Sequence, residues 1–398
     1  MPGASPGPTS AASPGPTSDA SPGPTSDAEV SSAAAFREEV GDWLARNAPR
    51  GPLPDVDTSA GAAAHRAWER SLFDAGLAVV SWPSAFGGRD APPLHELIFD
   101  EAYHGCGAPI RIGQNGLFLL APTLLAHGTA EQCARILPPM ARGETVWAQA
   151  WSEPEAGSDL AALRSTARRT DGGWLLSGQK TWSSRAAVAD RAFGLFRSGP
   201  PDERHRNLTY LMVDLRAPGV TVRPIAQLDG RTGFAEIFLD DVFVPDADVI
   251  GRPGDGWRVA MSTAGHERGF TLRGPGRFTA AASRLVDLWL GHGDPADGAT
   301  RDRVVDAWIA ARAYRLAAHA SLTTTMPPSA IKIFWSETDI ALHEAALDTL
   351  GANAETQTAW TDGYLFALAG PIYAGTNEIQ RDILAQRVLG LPRDRGTR

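Results

Sequence analysis

Three short segments hold side chains suited to chemistry on a flat, polar ligand. They are residues 151–159 (WSEPEAGSD), 178–184 (GQKTWSS) and 372–381 (IYAGTNEIQR). Within them Ser152, Ser158, Ser184 and Thr376 carry hydroxyls in Gly-rich or strand-end settings. Hydroxyls and backbone N–H groups arranged this way can satisfy a polar heterocycle or a pyrophosphate. Trp182 offers a face that could cover an aromatic ring. Taken singly, each segment reads as an ordinary turn or strand end.

Other chemistries find no support. The nine His are scattered, with no H-E-x-x-H and no paired C-x-x-C, so a metal site is not indicated. No G-x-S-x-G elbow occurs, which removes the hydrolase reading. No G-x-G-x-x-G lies between a strand and a helix; Gly251, Gly254 and Gly256 fall in a turn, against a Rossmann site. Lys plus Arg number 37 and Asp plus Glu 46, for a net charge of −9, which argues against nucleic acid as a partner. The best apolar run, residues 117–125, is nine residues long, too short to cross a membrane. No basic stretch precedes an apolar one at the N-terminus, so no secretory signal is read. Two cysteines, Cys106 and Cys133, allow no disulfide framework and fit buried thiols in a reducing compartment. A cytoplasmic protein without a membrane partner is expected.

The elements that must hold these segments change character along the 398 residues. ASPGPTS occurs three times, from Ala4, Ala12 and Ala20. Such a tract buries too little to offset about 1–2 kcal/mol of backbone entropy per residue, so residues 1–28 are expected to be a disordered tail. Residues 29–147 read as an N-terminal helical domain: Phe36, Val40, Trp43 and Leu44 share one helical face, as do Leu94, Leu97, Ile98 and Ala102. Over residues 148–253 the period falls to two. Strands are predicted at 174–176, 192–196, 208–215, 220–225 and 234–238, with turns at Gly172–Gly173, Pro218–Gly219 and Asp229–Gly230. A small barrel or sandwich follows. Residues 254–398 return to helix, over 257–270, around Val304–Arg312, through Ile333, Ile340 and Leu347, and over 376–389. Spacing by sevens predicts a C-terminal four-helix bundle and invites oligomer packing. The fold class is α+β, in the order α, β, α.

Together, S-E-P-x-A-G-S-D, G-x-K-x-W and Y-x-G-T-x-E-I-Q-R resemble the acyl-CoA dehydrogenase family, over about residues 30–398. The resemblance implies FAD as cofactor, a homotetramer or dimer of dimers, and an electron-transferring flavoprotein as electron acceptor. It places Ser152 and Ser158 at the flavin ring and pyrophosphate, Trp182 on the flavin, and Ser184, in place of the usual Thr, near N5. Thr376 and Glu378, in the third motif, are placed at the FAD of the same or a neighbouring subunit. Arg268 is implied beside the substrate channel.

Most members carry a catalytic Glu directly before the Gly of Y-x-G-T. Here that position is Ala374. Isovaleryl-type and several actinobacterial members instead carry the Glu on the first helix of the C-terminal domain, before an Arg. The pair here is Glu267-Arg268, so the resemblance makes Glu267 the base. The small or apolar neighbours Ala264, Gly265, Gly269 and Phe270 suit a dry pocket, where a carboxylate becomes a better base. The implied reaction converts an acyl-CoA to a trans-2-enoyl-CoA. Two departures touch the adenosine end of the FAD site. No R-x-x-F-G element occurs in residues 275–310, and residues 348–352 read DTLGA where the family has Gln before a Gly pair. The same motifs leave open a carrier-protein-bound acyl or aminoacyl substrate, a flavin monooxygenase, and a non-catalytic partner subunit.

Overall fold

The computed structural model describes residues 27–200, 204–268, 270 and 272–392. Most of the repeat segment, residues 1–26, lies outside them, as does Gly269. The first helix begins at Asp27, two residues inside the stretch expected as a tail.

Five helices come first: α1 (Asp27–Asn47), α2 (Ser59–Asp74), α3 (Pro93–Gly105), α4 (Ala121–His127) and α5 (Ala130–Ala141). Thr58 caps α2, its hydroxyl accepting from Gly61 N at 3.0 Å; Thr129 and Gln132 form a capping box on α5. Phe36, Val40 and Leu44 of α1 are buried as their spacing predicts, in one core with Leu72, Ile98 and Leu124. Cys133 is buried there, but Cys106, just past the end of α3, is exposed, against the expectation of two buried thiols.

Eight strands follow: β1 (Trp147–Ala150), β2 (Thr166–Thr170), β3 (Gly173–Ser184), β4 (Arg191–Arg197), β5 (Leu208–Asp214), β6 (Val220–Ile225), β7 (Phe234–Pro245) and β8 (Val249–Ile250). They form one sheet in the order β6-β7-β3-β2-β4-β5-β8, with β1 parallel to β4. The sheet is buried on both faces at β4 and β5, where side-chain alternation sorts the two cores, while β2 and β6 leave one face exposed. Leu208, Tyr210 and Met212 join the core of the N-terminal helices. Leu211 and Val213 join a second core with Trp174, Leu176 and Ile237. Strands β3 and β7 run far beyond the segments predicted at 174–176 and 234–238. The register of the pair shifts at Leu176/Gly178 and at Lys180/Ser183, and each shift breaks the alternation that marks a strand in sequence.

The remaining helices are α6 (Gly256–Arg268), α7 (Pro275–His292), α8 (Gly298–Ala320), α9 (Pro328–Leu350), α10 (Ala359–Ala367) and α11 (Asn377–Ile383). The four long ones, α6–α9, make the bundle, with α9 packed against the other three. Phe278, Leu285, Val304, Tyr314, Trp335 and Leu342 fill its core. Helix α7, which buries Phe278, Ala281, Ala282 and Leu285, lies in none of the predicted helical segments. The spacing by sevens also marked the wrong face of α9. Ile333, Ile340 and Leu347 are half-buried, while Ile331, Trp335, Leu342, Ala345 and Ala346 are buried. Helix α6 sends Val259 and Ala260 into the N-terminal core instead, so its C-terminal end stands where helices and sheet meet.

Candidate functional site

The far half of β3 is built to turn one side chain outward. Gly178 has φ +144°, and a Cβ there would lie 2.3 Å from Ser165 Oγ. The second register shift then puts Trp182 at φ +57° with its ring 59% exposed. Phe234 supports that ring edge-on, at 6.1 Å and 80°. A large aromatic held in a left-handed backbone conformation and left in water is costly on both counts, which marks a face kept for a ligand.

The loop carrying Ser152 is fastened to this strand. Thr181 N donates to Ser152 O at 2.9 Å. Beneath it, the fully buried Lys180 Nζ donates to Glu153 Oε1 at 2.8 Å and to Leu195 O at 2.7 Å. Glu153 also accepts from the backbone N–H groups of Arg164 and Ser165. Burial works to raise the Glu153 carboxyl, but Lys180 and these donors hold it below its ordinary range. Burial pulls Lys180 down in turn. The pair joins the first two motif segments, and the sequence reading passed over both residues although both stand inside the quoted motifs. Ser158 lies exposed farther along the loop. Ser184 pairs with Phe234 across β3 and β7, and its carbonyl accepts from Asn115 Nδ2 at 3.4 Å. Next to Trp182, the Ser183 hydroxyl is buried without a partner.

The third segment forms a tight loop into α11. Ala374 and Gly375 both have positive φ, +57° and +79°. A Cβ on Gly375 would fall 2.4 Å from Gln380 Nε2, so glycine is required. Gln380 Nε2 donates to Ala374 O (3.2 Å) and Gly375 O (3.3 Å), while Ser329 holds its Oε1 at 2.7 Å. Lys332 Nζ reaches Asn377 Oδ1 at 2.7 Å. Thr376 caps α11, accepting from Ile379 N at 3.3 Å. Glu378 is exposed in the first turn; its own backbone N–H and then the Thr376 hydroxyl keep its carboxyl low.

Glu267 and Arg268 end α6 beside this loop. Arg268 Nε donates to Ala374 O at 3.1 Å. The segment Glu267-Arg268 therefore lies against position 374, and of positions 267 and 374 only the first carries a carboxylate. Burial pushes the Glu267 carboxyl above its ordinary range; Arg268, the Gln149 amide, Arg273 and Lys332 restrain the rise. Gln149 lies on β1, three residues before Ser152, which ties the end of α6 to the strand that leads into the Ser152 loop. Behind Glu267, one turn back on α6, Thr263 meets Thr123 at 2.8 Å and Tyr210 Oη at 3.2 Å, and Trp151 Nε1 donates to Tyr210 at 3.3 Å.

The comparisons with known proteins bear on the whole of this frame. Models of the acyl-CoA dehydrogenase N-terminal, middle and C-terminal domains match residues 31–144, 148–242 and 254–389. The chain belongs to the acyl-CoA dehydrogenase family. Among its relatives, the acyl-CoA dehydrogenase IpdE1 of Mycolicibacterium smegmatis is 38% identical over 383 residues, covering 90% of this chain and 98% of the relative. The corresponding IpdE1 of Mycobacterium tuberculosis is 40% identical over 341 residues, 83% of this chain and 88% of the relative. A solved steroid acyl-CoA dehydrogenase, Tcur3481-Tcur3483, has the same fold, with a TM-score of 0.79 at 23% identity over 92% of this chain and 98% of that one. As a family member, the chain is an FAD-dependent oxidoreductase acting on CH–CH bonds.

The residues present fit that cofactor. Trp182 supplies an exposed aromatic wall, and the partnerless Ser183 hydroxyl beside it is a buried polar atom awaiting company. Among the described residues no helix is long and apolar enough to cross a membrane, and no cluster of His, Cys, Asp or Glu could hold a metal.

Proposed function

We propose that this acyl-CoA dehydrogenase removes hydrogens from the α and β carbons of an acyl-CoA thioester, with Glu267 as the base. The observation that supports the reading is the contact of Arg268, the neighbour of Glu267, with the carbonyl of Ala374, the loop position that lacks a carboxylate. FAD, when bound, supplies the acceptor for the hydride leaving the β-carbon. Ser152, Ser158, Trp182, Ser184, Thr376 and Glu378 are the residues that would hold it. Glu267 receives the α-proton on a carboxylate oxygen. Its burial raises its basicity, and the buried Tyr210–Thr263 pair packs one turn behind it. Arg268 orients the Glu267 helix end against the loop. The domains correspond to residues 29–147, 148–253 and 254–398.

The protein works as a homo-oligomer, passing electrons to an electron-transferring flavoprotein. Support for assembly comes from α8, where Val305, Trp308, Ile309 and Leu316 lie exposed along one side. The test of the reaction is the visible spectrum of the FAD-loaded protein, taken anaerobically with a panel of acyl-CoAs. Bleaching of the flavin band by at least one thioester is expected. A band that none of them bleaches would overturn the assignment.

A further inference from the structure

Beside the Y-x-G-T loop, three hydrogen-bond donors gather with no acceptor among the described residues. The guanidinium carbon of Arg273 stands 5.2 Å from the ring centroids of both Trp335 and Tyr373, which are stacked 5.7 Å apart. Arg273 Nε, Trp335 Nε1 and Tyr373 Oη are all buried without a hydrogen-bond partner. Trp335 itself is 0% exposed. A partnerless indole recurs at Trp147, so the indole alone carries little; the guanidinium and the phenol beside it carry the argument. The neighbouring Arg277 is committed to Asp339 at 2.5 Å, whereas Arg273 has no carboxylate partner among the described residues. A buried Nε–H and a buried phenol hydroxyl side by side, each without an acceptor, are costly unless a ligand completes them.

The place belongs to the proposed reaction site. Tyr373 directly precedes Ala374, and the Arg273 charge is felt by Glu267 and by Arg185, which follows Ser184. Lys332 and Arg268 add further positive charge around Glu267. Resting on the dehydrogenase reading above, we propose that Arg273 and Tyr373 form a subsite for an oxygen acceptor on the acyl tail, a carboxylate or a carbonyl, distinct from the thioester carbonyl. Stacking on two rings keeps the Arg273 plane fixed, as recognition of such an oxygen needs.

The test compares acyl-CoAs of equal length whose distal end is a carboxylate, a ketone or a plain methylene. Binding of non-oxidisable thioether analogues to the FAD-loaded protein is measured by calorimetry, alongside flavin bleaching by the thioesters. At least one oxygenated tail is expected to bind about 10- to 100-fold tighter than the hydrocarbon. Arg273→Gln should remove that preference, so that oxygenated and hydrocarbon tails bind the variant within about twofold of one another. Tyr373→Phe, a smaller change that keeps the ring stack, should weaken the oxygenated ligand alone. Equal binding of all three tails, with bleaching intact, would overturn the subsite and leave the dehydrogenase reading standing. Bleaching by none of them would overturn both.

Discussion

At the scale of single residues, the chemistry turns on one carboxylate. The site holds several cations around Glu267, and Ala374 leaves no second acid at the loop. Replacing Glu267 with Gln keeps the volume and removes the base, so turnover should fall by about 10²- to 10⁴-fold while FAD content is unchanged, as absorbance reads directly. Glu267 must be ionised to accept a proton. Because burial raises its pKa above the ordinary 4.5, activity should decline as pH falls through a midpoint higher than that value. A pH–rate profile of the wild type checks the sign. Ser152, Trp182 and Ser184 were singled out by type and local motif, whereas Glu267 entered only through the family resemblance. Lys180 and Glu153 could not be weighed properly there. A charged residue in a string reads as solvated, and only the fold reveals that the two bury each other. Arg273 and Tyr373 are 100 positions apart, and nothing local joins them.

At the scale of elements, the Lys180–Glu153 pair holds the Ser152 loop on β3. Lys180→Met would leave Glu153 buried without its counter-charge. Thermal and denaturant unfolding should show a loss of about 3–5 kcal/mol, with weakened FAD retention. Replacing both residues with apolar ones should cost less than Lys180→Met alone, since no orphaned charge remains. The strands show where sequence patterns stop informing. Val220–Ile225 was predicted to its ends because β6 pairs in regular register with β7. Strands β3 and β7 were cut short in the prediction because two register shifts interrupt their alternation. One of those interruptions is what turns Trp182 outward, so the least regular stretch of strand is also the one that carries the proposed flavin wall. In α9 the apolar sevens were visible, yet Trp335 and small alanines take the core and leave Ile333, Ile340 and Leu347 on its flank.

At the scale of the whole molecule, the α, β, α order was visible because the hydrophobic period changes from helical to two and back. That α6 packs into the first core was not, since a helix does not encode its partner locally. Contacts across the α3–α7 junction bear on stability. Asp100 on α3 accepts from Gly276 N at 2.7 Å, and burial raises its carboxyl to about 7. Unfolded, it titrates near 3.8. Between those values the folded chain keeps a proton that the unfolded chain has lost, so stability falls as pH rises, and the loss is complete above about 7. Asp100→Asn keeps an acceptor for Gly276 and abolishes that titration. The wild-type thermal midpoint should drop relative to the variant between pH 5 and 8, as calorimetry would show. The exposed side of α8 belongs to this scale too. Ile309→Glu with Leu316→Glu should shift the protein toward smaller species in light scattering without unfolding it; unchanged mass would place the interface elsewhere.

The most direct measurement follows the flavin band of FAD-loaded wild type and Glu267→Gln in anaerobic stopped flow with an acyl-CoA that reduces the wild type. Rapid bleaching of the wild type and a persistent band in the fully loaded variant are predicted. Bleaching of Glu267→Gln at the wild-type rate would show that another group takes the α-proton.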